Sequence, residues 1–193
     1  MNTKEEFYKR TSKTNNTDNR WKVFAWGIVY QYLFRTSPKA LKEWRCFLLR
    51  CFGAKIGKKC QVAPTAFITR PWEFEMGYYS SIDDNCFVIP PVKVGDEVAI
   101  ANNCHIIAGG HNIFSREFEQ EFNPIIIGNS SFLCCGVYVS MGCRIGTASV
   151  VSSHIKILKN VPDNTVVAQL PNGKTVNIPR VPETDFDNYR YYH

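Results

Sequence analysis

Broken every sixth position, residues 127–157 read IGNSSF, LCCGVY, VSMGCR, IGTASV, VSSHIK and a final I. Every block opens on an aliphatic side chain: Ile127, Leu133, Val139, Ile145, Val151 and Ile157. The same phase runs upstream through Ile106, Ile100, Val94, Val88, Ile82 and Met76. After a two-residue shift it continues through Ile68, Val62 and Ile56. Four places after the aliphatic residue a small or β-branched one recurs, as at Cys60, Ala66, Ser80, Cys86, Cys104, Ser131 and Ser149. A period of six kept over this many units signals a repeat architecture. Each unit supplies a short strand and a corner, and three units close a triangular coil. The aliphatic residue points inward and stacks on its equivalent one coil away, so the core propagates as in other solenoids. Repeat logic gives about five coils. Glycine follows the aliphatic residue at Gly57, Gly77, Gly95, Gly128 and Gly146, where it is expected to relieve a tight backbone turn.

Around this repeat the chain divides into a polar tail (1–20), a helical segment (21–55), the β-helix (56–161) and an extension (162–193) that ends in an aromatic, polar stretch from Asp185 to His193. Thr36-Ser37-Pro38 splits the helical segment, because proline disfavours helix at the residue before it. Its second half, Ala40 to Phe52, sets Leu41, Trp44, Phe47, Leu48 and Cys51 on one face and stops at Gly53. The first half, Trp21 to Phe34, is interrupted by Lys22, Gly27 and Gln31 and is too short to span a bilayer. It reads as a helix packed against its own domain; the other reading is an amphipathic segment on a membrane surface. The repeat itself is broken once, over 112–124, and resumes in phase. That pattern means an extruded loop, a place where function concentrates.

Composition excludes several classes. With 45% hydrophobic and 21% charged residues the chain is an ordinary globular protein. A net charge of +6 suits a polyanionic cofactor or an acidic acceptor, but the basic residues are scattered and nucleic-acid binding is not expected. Met1 to Asp18 lacks the apolar core of a secretory signal, so the eight cysteines are expected as reduced thiols of a cytoplasmic protein. His105, His111 and His154 invite a zinc reading, but residues six apart point from different faces, and no metal is expected.

His111 stands where the repeat ends and the loop begins, in Ala108-Gly109-Gly110-His111-Asn112. Imidazole changes charge near neutral pH and suits general-base work; the alternative is a surface histidine at a loop junction. The segment Ile106 to His111, the loop, and Asn123-Pro124-Ile125-Ile126-Ile127-Gly128-Asn129 resemble the hexapeptide-repeat sugar O-acetyltransferases. The paired helices, Pro71-Trp72-Glu73-Phe74-Glu75-Met76-Gly77 and Asn160-Val161-Pro162-Asp163-Asn164 look most like the colanic acid, or exopolysaccharide, type.

That resemblance implies an all-β fold, a left-handed parallel β-helix of hexapeptide repeats, assembled as a homotrimer with active sites between subunits. It implies acetyl-CoA as cosubstrate, a sugar or polysaccharide precursor as acceptor, and His111 as catalytic base. Asn85 matches an acceptor-binding position, and Asn112, next to His111 at the start of the loop, is a second acceptor-binding candidate; a corner residue tolerating a left-handed backbone is the other reading of Asn85. Contacts to coenzyme A map onto Cys135, Ser153, Leu158, Lys159 and Lys174, the two lysines being otherwise ordinary solvated ones. The chain departs from the family at Pro90-Pro91, where an acceptor-binding Asp is usual, which turns attention to Asp83, Asp84 or the loop. It departs again at Gln169-Leu170-Pro171 and His154, in the groove expected for coenzyme A. A related transferase with an amino-sugar, serine or drug acceptor, and a catalytically silent binding scaffold, are the alternatives.

Overall fold

A computed structural model describes residues 20–111, 116 and 120–180. The polar tail apart from Arg20, the stretch from Asp185 to His193, and most of the loop, Asn112 included, lie outside the described residues. The repeat forms three parallel sheets. The first face stacks Lys55–Ile56, Phe74–Met76, Val92–Val94, Ile125–Ile127 and Arg144–Ile145. The second stacks Gln61–Val62, Ser81–Ile82, Ala99–Ile100, Phe132–Leu133 and Val150–Val151, followed by Thr165–Gln169. The third stacks Phe67–Ile68, Phe87–Ile89, His105–Ile107, Tyr138–Ser140 and Lys156–Ile157. These are five coils of the left-handed parallel β-helix and the start of a sixth, in which Val161 bridges Ile145. The register pairs like with like, for example Ile82 with Ile100 and Val139 with Ile157. The aliphatic residue of every unit but the first is therefore buried in one continuous column, each side chain contributing about 1.5–3 kcal/mol of apolar burial.

The structure revises the role of the repeat glycines. Gly57, Gly77, Gly95, Gly128 and Gly146 all follow the first face, and none has a positive φ. A Cβ at Gly128 would lie 2.6 Å from Thr147 N, and one at Gly146 2.3 Å from Asp163 N. Their task is close approach of successive coils. The left-handed turn falls two residues later, at Lys59, Tyr79, Asn85, Glu97, Asn103, Ser130, Ala148, His154 and Asn164, almost always without glycine.

The next residue points inward. At the corner between the first and second faces it does more than avoid a clash. Ser80 Oγ donates to Gly95 O (2.8 Å), Ser131 Oγ to Gly146 O (2.7 Å) and Ser149 Oγ to Pro162 O (2.7 Å). Ser80 and Ser131 in turn accept from the amides of Val98 and Ser149 one coil on. These buried hydroxyls satisfy corner groups that the strand ladders leave unpaired.

A solenoid has an open edge at each end, and bare edge carbonyls are costly to cover with apolar surface. The N-terminal helices solve this with side-chain donors. Helix α1 (Arg20–Val29, continued by a π-helical turn Tyr30–Phe34) sends Trp26 Nε1 to Ile68 O at 2.8 Å. Helix α2 (Lys42–Cys51) sends Arg45 Nε to Val62 O (2.5 Å), Arg50 Nε to Ile56 O (3.1 Å) and Arg50 Nη2 to Gly57 O (2.7 Å). All three faces of the first coil are thus capped. This requirement, rather than apolar periodicity, orients α2. Arg45, Cys46, Leu48 and Leu49 face inward, while Leu41, Trp44, Phe47 and Cys51, placed on one face by the sequence pattern, are exposed with only Leu48 of that set buried. At the other end Thr165–Gln169 and Thr175–Pro179 pair antiparallel and close the second face.

Candidate active site

The extruded segment is a hairpin rather than a bare loop. Gly109–His111 pairs antiparallel with Gln120–Phe122, His111 opposite Gln120. It springs from the corner between the third and first faces after the third coil. Ala108 N donates to Ile89 O (2.9 Å), Asn123 N to Ala108 O (2.9 Å) and Gly142 N to Asn123 O (3.0 Å), so the hairpin base is tied to the coils on both sides. His111 stands at the end of the described part of the first strand, exposed.

Beneath it lies a stack that the sequence reading did not single out. The Phe122 ring fills the space over Gly109, where an added Cβ would lie 2.4 Å from the ring. The guanidinium of Arg70 sits 4.0 Å from the Phe122 centroid, donates to Pro90 O, and pairs with Glu73 at 3.3 Å. Pro90-Pro91, joined by a cis peptide, lies at this corner, and Pro91 O accepts from Ile125 N at 3.1 Å. The position where the family resemblance led one to expect an acidic residue is thus occupied by a proline carbonyl and a planar cation. The only sequence signal for Arg70 was its place at the two-residue shift in the repeat; Phe122 had none beyond being aromatic near Pro124.

Other expected site residues gather at a different corner, between the second and third faces. Asn85 is there in the second coil with φ 59°, its N–H donating to Thr65 Oγ1 at 2.9 Å. Cys135 and Ser153 are there in the fourth and fifth coils, both exposed. Asp84 is already engaged: Lys39 Nζ at 2.6 Å and Thr65 Oγ1 at 2.8 Å hold its carboxyl below the usual range. His154 takes the left-handed corner position, and its ring covers Gly136, where a Cβ would lie 2.4 Å from Nδ1. Lys159 and Leu158 are two coils beyond His111, in a 250 Å³ cleft at the open end that Asn160, Thr175 and Asn177 also line. Lys174 is exposed in the turn of the C-terminal hairpin.

The single chain therefore does not bring His111 together with Cys135 and Ser153. They lie at opposite ends of the third face, and three strand residues span roughly 10 Å. Cys46, Cys60, Cys134 and Cys143 offer little as nucleophiles: burial pushes Cys46 up to about 11 and also raises the other three. The three histidines stay apart, His105 on the third face, His111 on the hairpin and His154 at the second corner. Among the described residues no group of three or more His, Cys, Asp or Glu is placed to hold a metal.

No protein-family model matches the chain. It is 35% identical over 150 residues to WcaF of Escherichia coli (strain K12), a protein named for colanic acid biosynthesis and as an acetyltransferase, covering 77% of this chain and 82% of the relative. Against the galactoside O-acetyltransferase of the same organism the identity is 27% over 150 residues, covering 75% and 74%. Among solved structures, a galactoside acetyltransferase in complex with coenzyme A superposes with a TM-score of 0.77 at 24% identity, covering 100% of this chain and 96% of that one. A maltose O-acetyltransferase from Clostridium difficile 630 gives 0.74 at 22%, covering 95% and 99%. At these identities the two structures speak to the fold.

Proposed function

Because the chain belongs to the hexapeptide-repeat acetyltransferases, we propose that it transfers an acetyl group from acetyl-CoA to a hydroxyl of a sugar or glycan precursor, with His111 as general base. The observation that carries this reading is His111 itself, exposed at the mouth of a hairpin whose base is braced by Arg70 and Phe122. The imidazole takes the proton from the acceptor hydroxyl as its oxygen attacks the thioester carbonyl carbon. A tetrahedral oxyanion forms, and a backbone N–H near a coil corner stabilises it, an interaction typically worth several kcal/mol in the transition state. The C–S bond then breaks, the acetyl ester remains on the acceptor, and the imidazolium returns its proton to the departing thiolate. No covalent enzyme intermediate is needed, and burial raises the pKa of the Cys46 and Cys143 thiols.

The two separated corners favour a homotrimer in which His111 of one protomer meets Asn85, Cys135 and Ser153 of its neighbour. Cyclic symmetry makes all three such sites equivalent. In this reading Lys159 and Lys174 pair with the phosphates of coenzyme A, supported by the cleft that Lys159 lines with Thr175 and Asn177. The test is thiol release from acetyl-CoA across a panel of sugar acceptors. His111→Ala is expected to lower kcat by about 10²–10⁴-fold, with coenzyme A binding and oligomeric state unchanged. Release that persists in His111→Ala would remove the base assignment, and no release with any acceptor would favour a silent scaffold.

A further inference from the structure

Among the described residues, the cap presents a broad aromatic surface. The outer side of α1 exposes Trp21, Phe24, Ile28 and Tyr32, with Trp21 at 78% and Tyr32 at 69% of their full exposure. Trp44 Nε1 donates to Leu33 O at 3.2 Å, joining α1 to α2, whose outer side exposes Leu41, Trp44 and Phe47 beside Leu33. Trp44 and Phe47 stack at 5.8 Å, so this is an aromatic surface rather than scattered single residues. Its charge is net positive. Between Arg20 and Trp44 stand Arg20, Lys22, Arg35, Lys39 and Lys42, against Glu43 alone. Arg20, Arg35 and Lys42 are exposed, whereas Lys22 lies over the Trp72 ring and Lys39 is paired with Asp84.

We propose that this face docks the protein peripherally on an anionic phospholipid surface. Amphipathic rings such as Trp and Tyr favour the boundary between headgroups and acyl chains, and flanking cations are drawn to anionic lipid. No helix among the described residues is long and apolar enough to cross a membrane, so the attachment is to one leaflet's surface. A self-association contact would bring Arg20, Arg35 and Lys42 of one copy toward those of another, with Glu43 the one acidic residue in the segment to offset them. An anionic bilayer complements them. The proposal rests on neither His111 nor the transferase reading.

Full-length protein would be floated with vesicles of phosphatidylcholine containing phosphatidylglycerol, and with phosphatidylcholine alone. Binding to the anionic vesicles, weakened by salt and by at least about tenfold in Phe24→Ser/Trp44→Ser, is the expected result. The same loss is expected in Arg35→Glu/Lys42→Glu, with oligomeric mass and thiol release unchanged in both. Absence of wild-type binding overturns the proposal, as does equal binding by the variants. A fall in oligomeric mass in Phe24→Ser/Trp44→Ser without wild-type vesicle binding assigns the face to a subunit contact instead.

Discussion

Arg70 is the residue on which the position of His111 turns. Its guanidinium is fixed by Glu73 and Pro90 O and lies on Phe122, which in turn fills the hollow over Gly109, two residues before His111. A planar, delocalised cation suits a stacked site in a way that an ammonium does not. Arg70→Ala should lower kcat by about 10–100-fold, the cost of displacing the proposed base by an ångström or so. KM for acetyl-CoA and the circular dichroism spectrum should hold, and Arg70→Lys should recover only part of the rate. Equal falls in kcat and thermal stability in both variants would reduce Arg70 to a packing role.

At the scale of elements, the helix pair is a cap before it is anything else. Arg45 is almost wholly buried, yet its donors reach Val62 O, Pro38 O, Lys39 O and Ser37 Oγ. Burial lowers its pKa from the ordinary arginine range, and those acceptors are what make a buried cation tolerable. Arg45→Leu keeps the volume roughly constant and strands the edge carbonyls. We expect a loss of about 3 kcal/mol, and a melting midpoint lower by roughly 6–12 °C for a chain of this size. Calorimetry of the two proteins checks this; an unchanged midpoint would mean that water serves the first coil as well as Arg45 does.

For the whole molecule the decisive question is whether the proposed trimer builds its sites between subunits. If each site draws His111 from one protomer and Ser153 from the next, two inactive variants should complement. Mixed trimers of His111→Ala and Ser153→Trp subunits, assembled at random from equal amounts, would regain about a quarter of wild-type sites, because one interface in four pairs the two intact halves. Thiol release by the co-refolded mixture measures it. A mixture no more active than either parent would place the reaction within a single protomer.

The sequence by itself determined the β-helix, its phase and the point where the phase stops, because an inward residue every sixth position is a local pattern repeated along the chain. His111 was legible for the same reason, as the last residue before the break. What the tertiary structure decided depends on contacts between coils. The glycines read as turn residues proved to be points of close coil approach, a distinction set by the neighbouring coil's backbone and invisible in a single unit. The inward face of α2 was chosen by carbonyls at an open edge, so hydrogen bonding overrode apolar spacing at Leu41, Trp44 and Phe47. Arg70 and Phe122, some fifty residues apart in sequence, meet because the third corner stacks their coils, and only that stacking reveals what holds His111 in place.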